Sequence, residues 1–222
     1  MFYPDMIKPV WCVVKNTSLK LPRKIQLKDN LSADFDGVMN MISLERGTES
    51  IGRELFRKEK DFIKGIDIEI ENPAEKRKGF GSLLRALSVM LMKENKAKSI
   101  KINSLPQALK FHYANGFRTD SGTVENATYC MRSIIQSNTP FDSLKKRAEK
   151  LHYRLSIKDK HAVKDADLTY DDFLKSVFEN GISFEDANFP STVNMQLTLK
   201  DAVKNNRRFN KILKDYGIDY EI

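Results

Sequence analysis

The most constraining stretch of this sequence runs from residue 66 to residue 84. Isoleucine and acidic residues alternate from 66 to 71, which is the period of a β-strand with two unlike faces. Pro73 ends this strand, because proline lacks a backbone donor and restricts the residue before it. The basic, glycine-spaced turn 76–81 then leads directly into a helical pattern. This order aims backbone N–H groups and a helix N-terminus at an anion.

The residues around this run predict an α/β fold with a mixed, mainly antiparallel sheet. Segments 38–45, 51–57 and 62–71 predict three successive strands with polar turns between them. One apolar stripe then predicts a helix of about 14 residues. Its members are Phe80, Leu83, Leu84, Leu87, Met90 and Leu91.

Shorter elements complete the pattern on either side of this core. We predict a short buried strand at 10–14, loop with one short helix at 17–35, and a strand at 99–103. A second helix is expected to begin at Pro106 and end at Gly116, followed by an extended segment from Phe117. A further strand is predicted for 128–135.

The segment 137–140 is the clearest linker signal, and the chain changes character after it. We therefore predict a core at 1–136 and a mostly helical C-terminal extension at 141–222. Thr169 and Thr198 are the predicted N-caps of two of its helices. The last helix also carries basic residues, which predict either a solvated face or contacts with nucleic acid or an acidic protein. These residues are Lys204, Arg207, Arg208, Lys211 and Lys214.

The net charge of +8 and the pI near 9.3 favour an anionic partner. Nucleic acid, an acidic protein and a phosphate-bearing cofactor all remain open at this point. Two cysteines cannot form a disulfide framework and indicate a reducing compartment. Three scattered histidines and the lack of a paired-cysteine motif predict no metal site.

The N-terminus has no basic region of the kind that opens a signal peptide. The longest apolar helical stretch, 83–92, contains Arg85 and is too short to span a bilayer. We therefore expect a soluble, cytoplasmic protein with no membrane contact. The sequence leaves the oligomeric state open.

Two motifs, taken in order, resemble those of the GCN5-related N-acetyltransferases (GNAT). That family has (Gln/Arg)-x-x-Gly-x-(Gly/Ala) after its fourth strand, and residues 76–81 read Lys-Arg-Lys-Gly-Phe-Gly, with Lys76 at the first position. The family's helix ending in Tyr-x-x-x-Gly-Phe corresponds to 112–117, with His112 in place of tyrosine. The resemblance covers roughly residues 10–135. It implies an acyl-CoA N-acyltransferase-like fold.

The resemblance also implies a donor, a reaction and a set of cofactor contacts. The donor would be acetyl-CoA, and its acetyl group would pass directly to a primary amine of a protein, a small molecule or an aminoacyl-tRNA. Glycines let the backbone approach a pyrophosphate that a Cβ would hold off. The expected cofactor-binding residues are Ile70, Lys76, Arg77, Lys78, Gly79, Phe80, Gly81 and Ser82.

The proton-handling residues implied by the resemblance are less regular. Glu69 is the preferred general base and Glu71 the second candidate, although a solvated strand face explains both equally well. His112 or Tyr113 would donate a proton to the leaving thiolate, and a packed histidine without a catalytic part is the alternative. This departure motivates a second hypothesis: a non-catalytic CoA-binding module whose basic C-terminal region binds nucleic acid or an acidic protein.

Overall fold

A computed structural model describes residues 6–14, 19–183 and 192–222. Its strands are β1 (Trp11–Val13), β2 (Lys20–Pro22), β3 (Ile25–Gln26), β4 (Leu31–Asp36), β5 (Met41–Arg46), β6 (Glu49–Lys58), β7 (Phe62–Ile70), β8 (Ser99–Ser104), β9 (Arg118–Thr119) and β10 (Val193–Thr198). Its α-helices are α1 (Phe80–Glu94), α2 (Leu109–Ala114), α3 (Val124–Gln136), α4 (Asp142–Ser156), α5 (Ala162–Glu179), α6 (Leu199–Lys204) and α7 (Asn206–Asp215). Short 3₁₀-helices precede α1 at Pro73–Glu75 and α2 at Pro106–Ala108.

The chain divides into two compact units. The first contains Met1–Ile102 and Leu197–Ile222, and the second contains Asn103–Gln196. The division into residues 1–136 and 141–222 that the linker signal suggested stays a prediction.

The first unit is built on a sheet in the order β3-β4-β5-β6-β7-β8. Its strands pair antiparallel except β7 and β8, which run parallel. Helix α1 packs against β5, β6 and β7, and α7 packs on α1. The apolar stripe predicted for α1 is buried. The predicted mixed, mainly antiparallel sheet flanked by helices is therefore confirmed.

A buried ion pair joins α1 to this sheet. Arg85 donates from Nη1 to Oε1 of Glu54 on β6 at 2.5 Å, and both side chains are almost completely buried. Gly65 lies next to this ion pair. A Cβ added to Gly65 would lie 2.9 Å from the Ile102 side chain and 3.4 Å from Nη1 of Arg85. Burial raises the pKa of Glu54, and the charge of Arg85 opposes that rise.

The second unit contains a group of three mutually packed helices, α3, α4 and α5. Strand β9 pairs antiparallel with β10, with Thr119 opposite Met195. Asp171 of α5 ties the helices to β9, since its Oδ1 accepts hydrogen bonds from the backbone N–H and the hydroxyl of Thr119 at 3.0 and 2.9 Å.

Three predictions about local structure were wrong. Residues 128–135 belong to helix α3, which Thr123 caps by accepting from the Asn126 N–H. Residues 19–35 contain β2, β3 and most of β4 where loop and a short helix were expected, while residues 15–18 lie outside the described part. Thr169 lies inside α5 and donates to the Asp165 carbonyl at 2.7 Å, so it caps nothing.

Two further predictions concern strand β1 and the N-cap residue Thr198, and only the second is confirmed. Strand β1 exists, but it is not a buried strand, because Val10 and Val13 are 58% and 63% exposed. Thr198 does open a helix, with its hydroxyl accepting from the Asp201 N–H at 3.0 Å. None of the helices in the described ranges is both long enough and apolar enough to cross a membrane.

Candidate functional site

The glycine turn ends in a left-handed residue that opens α1. Gly79 has φ +93° and ψ −5°, and its carbonyl accepts the first helical hydrogen bond from the Leu83 N–H at 3.0 Å. The three N–H groups before Leu83 belong to the first helical turn, where no helical partner exists. Across the described residues, no side chain caps this end. The turn therefore presents a set of backbone donors at the positive end of the helix dipole.

The basic residues of the turn are not equivalent. Lys78 forms an ion pair with Glu75 at 3.3 Å, and Glu75 also accepts from Arg46 at 2.8 Å. This hydrogen bond from Arg46 holds the pKa of Glu75 below its usual range. Lys76 and Arg77 are exposed and form no ion pair within the described part of the chain. They are the two side chains of the turn whose charge is not matched by an acid.

The last helix brings an aromatic residue to the same place. The Tyr216 hydroxyl would lie 3.7 Å from a Cβ added to Gly79, and its ring lies 6.1 Å from that of Phe80. Arg46 lies over the Phe80 ring, with its guanidinium carbon 5.9 Å from the ring centroid. Partial burial raises the pKa of Tyr216, so its phenol stays protonated at neutral pH. A protonated phenol can donate a hydrogen bond to an anion.

Strand β7 has an unpaired edge next to the turn. Parallel pairing with β8 stops after Lys64 and Lys101, although β7 continues to Ile70. The register with β6 shifts between Gly65 and Asp67, which makes Ile66 the extra residue of a bulge. The Glu71 N–H donates to the Ile51 carbonyl, toward β6.

The alternation of a strand then decides where the remaining backbone groups point. Since Glu71 faces β6, the N–H and C=O groups of Ile68 and Ile70 face the other way. No β8 partner is paired to either residue among the described residues. These groups form a short open ladder that could pair with an extended ligand carrying amides.

The two candidate bases share one arginine. Arg53, opposite Glu69 on β6, lies 3.5 Å from the Glu69 carboxylate and 3.3 Å from that of Glu71. Glu71 also accepts a hydrogen bond from Ser50. The Glu69 side chain is about half exposed, at 53%, and it has fewer contacts than Glu71. Glu69 is therefore the less firmly held of the two carboxylates.

His112 and Tyr113 lie in the second unit, on α2. His112 is buried, with its ring 5.0 Å from Phe111 and 5.6 Å from Phe117 in edge-on contacts. These contacts are what a packed core histidine would show. Burial raises the pKa of Tyr113, and the Arg118 guanidinium lies 4.1 Å above its ring. The Tyr113 phenol therefore keeps its proton at neutral pH.

The structure brings together the sequence-predicted residues that lie in the first unit. One stretch of the first unit contains Glu69, Ile70, Glu71 and the turn 76–82. The other two candidates, His112 and Tyr113, lie next to each other in the second unit. Sequence reasoning missed Arg46, Arg53 and Tyr216, because only strand register and helix packing bring them to this stretch. In the described ranges, no group of three or more His, Cys, Asp or Glu side chains is arranged to hold a metal ion.

Comparisons with known proteins gave partial similarities of fold. No protein-family model and no curated protein matches the chain. Among solved structures, Ard1 from Thermoplasma volcanium is 16% identical with a TM-score of 0.34, covering 36% of this chain and 57% of its own. GCN5 from Tetrahymena is 19% identical with a TM-score of 0.34, covering 39% and 55%.

A third solved structure is a GNAT family acetyltransferase from Elizabethkingia anophelis with acetyl-CoA bound. It is 17% identical with a TM-score of 0.34, covering 36% of this chain and 54% of its own. The chain thus spans little more than half the length of these three structures.

Proposed function

We propose that this chain is an acetyl-CoA-dependent N-acetyltransferase of the GNAT type. The observation that carries the proposal is the junction of β7 and α1, where an open strand edge leads into an uncapped glycine turn. The open groups of Ile68 and Ile70 would pair with the amides of the pantetheine arm. The N–H groups of Phe80, Gly81 and Ser82 would bind the pyrophosphate, with Lys76 and Arg77 supplying charge.

The reaction requires a base beside the thioester. A lysine-like amine has a pKa near 10.4 in water, so it must lose a proton in order to attack. Glu69 would take that proton and leave the nitrogen lone pair free to bond to the acetyl carbon, and the nitrogen then loses its second proton to water. The carbon–sulfur bond then breaks, and a proton donor, with Tyr113 and His112 as the candidates, would complete free CoA thiol.

The acceptor is an amine whose wider structure stays open. Protein, small-molecule and aminoacyl-tRNA amines all fit the chemistry. The second hypothesis keeps the fold and the cofactor but not the turnover: a non-catalytic CoA-binding module. The burial of His112 between two aromatic rings favours it, because a packed imidazole is not free to deliver a proton.

Two measurements on the full chain distinguish the enzyme hypothesis from the binding-module hypothesis. Isothermal titration with acetyl-CoA is expected to show saturable binding at one site per chain. Absence of binding at millimolar ligand would overturn both hypotheses. Release of free thiol from acetyl-CoA with a panel of amines then decides between them: amine-dependent release supports the enzyme, and binding without release supports the module.

A further inference from the structure

Helix α7 presents one face made of cations. Four exposed cations lie within about a third of the helix circumference, given 100° per residue. They are Arg207, Arg208, Lys211 and Lys214. Lys211 pairs with Asp215 at 2.8 Å. The other three form no ion pair with any described residue. We refer to these four residues as the α7 basic face.

The opposite side of α7 is used by the protein itself. Phe209 and Leu213 are completely buried, and α7 packs on α1 within the first unit. An amphipathic helix needs its apolar side in order to enter a membrane interface. That side is already occupied here, so the α7 basic face is not half of a membrane-binding helix.

The surrounding charge is not balanced within the unit. Asn103–Gln196 contains 12 Lys and Arg and 12 Asp and Glu, so the first unit carries the entire net charge of +8. Another cation adjoins the C-terminal end of α7, because the Lys28 ammonium donates to the Lys214 carbonyl at 3.4 Å. The excess positive charge therefore belongs to the unit that carries the α7 basic face.

The composition of this face distinguishes between polyanions. Protein interfaces depend on buried aromatic or aliphatic anchors, and the α7 basic face has none. Proteins that bind single-stranded nucleic acid stack bases on exposed aromatic rings, which this face also lacks. A face of exposed cations without anchors fits the phosphate backbone of a duplex.

From these features we propose that the α7 basic face binds the phosphate backbone of double-stranded nucleic acid without reading its sequence. This surface is independent of the proposed acetyl transfer. Three to four phosphate contacts correspond to a slope of about −3 in a plot of log affinity against log salt. Affinity should then fall by roughly 100-fold between about 50 and 200 mM salt.

The test is fluorescence anisotropy of the full chain with short labelled duplexes of RNA and of DNA. The double variant Arg207→Gln/Arg208→Gln should weaken binding about 10-fold or more and reduce the salt slope by about 2. Lys146→Gln/Lys150→Gln removes two exposed cations from α4 of the second unit and is the matched control. The control should bind like the unmodified chain, and neither variant should change acetyl-CoA affinity.

The competing occupants give different results. Poly-glutamate that displaces the duplex at equal charge would overturn the proposal in favour of an acidic protein. Tighter binding of a single strand than of a duplex would overturn the backbone geometry. Equal loss of affinity in both double variants would show a general charge effect and would also overturn the assignment to α7. A preference between the RNA and DNA duplexes would identify the source of the phosphate backbone.

Discussion

At the level of single residues, Gly79 carries much of what the proposed cofactor site requires. Its φ of +93° is a left-handed conformation that side chains with a Cβ rarely adopt. Space is not the restriction, because the nearest atom to an added Cβ would be the Tyr216 hydroxyl at 3.7 Å. A substitution would therefore act on the backbone conformation of the turn and on the close approach of a phosphate.

We predict that Gly79→Ala lowers acetyl-CoA affinity at least about 10-fold. Strain of about 1–2 kcal/mol would displace the turn, and the added methyl group would hold the pyrophosphate away. Gly181 is the matched control, since its φ is +63° and nothing lies within 4 Å of an added Cβ. Gly181→Ala should cost similar stability and leave affinity unchanged in titration calorimetry. Equal affinities for both variants would contradict the role of the turn.

A second residue-level prediction concerns the base. Glu69→Gln should lower kcat for thiol release by about 100-fold or more, because the amide cannot accept the proton of the amine. Glu71→Gln should have a smaller effect, since Glu71 is held by Ser50 as well as Arg53. Acetyl-CoA affinity should not change in either variant. The partly exposed Glu59, paired with Arg57, provides the control substitution. Turnover that survives in both the Glu69 and the Glu71 variant would place the base elsewhere.

At the level of elements, the sequence predicts the parts of the fold in which apolar residues recur with a regular strand or helix period. The apolar stripe of α1 matches the structure closely. Strand β7 forms where the alternation predicts it, but Ile66 is the extra residue of a bulge and is 59% exposed. Residues 128–135, predicted as a strand, belong to helix α3. Its buried positions in fact follow the helical period: Ala127, Cys130, Met131 and Ile134.

Contacts between elements could not be predicted, because they depend on register. The pairing of Arg53 with both glutamates follows from β6 lying beside β7. The approach of Tyr216 to Gly79 follows from α7 packing on α1. The residues of the glycine turn were therefore identifiable from sequence, whereas their partners were not.

The buried pair between α1 and β6 gives an element-level prediction. Arg85→Met should lower the free energy of unfolding by about 3–5 kcal/mol, since it leaves the buried Glu54 carboxylate without its partner. Glu54→Met/Arg85→Met should recover much of that loss, because no charge then stays buried. Denaturant unfolding followed by circular dichroism measures both. A loss below about 1 kcal/mol for the single variant would contradict this account of the pair.

A second element-level prediction concerns pH. Burial raises the pKa of Asp171 from 3.8 to about 6. The folded state therefore binds this proton more tightly than the unfolded state, and the resulting stability is complete below about pH 4 and lost as pH rises through about 6. The change amounts to at most about 3 kcal/mol.

The variant Asp171→Asn should flatten that part of the pH profile. Asparagine keeps an oxygen acceptor for Thr119 and carries no charge at any pH. Thermal unfolding of the variant, compared with the unmodified chain from about pH 4 to about pH 7, should show the gap between them changing with pH. Asp172→Asn, at an exposed ion pair with Arg147, is the control. A gap for Asp171→Asn that stays constant across this range would contradict the predicted titration.

At the level of the whole molecule, the two compact units differ in charge and in the candidate residues that they contain. The first unit holds the open edge of β7, the glycine turn and the entire net positive charge. The second holds His112, Tyr113 and a balanced set of charges. Its place in catalysis therefore depends on whether α2 supplies a proton donor, which turnover of a Tyr113→Phe variant would report.

We propose that acetyl-CoA binds along β7 and into the turn that opens α1. Backbone amide spectra of the isotope-labelled full chain, recorded with and without acetyl-CoA, test this most directly. Binding there should cause large shifts and slower hydrogen exchange at the N–H groups of Ile68, Ile70, Phe80, Gly81 and Ser82. Saturable binding that leaves these five amides unchanged would contradict it.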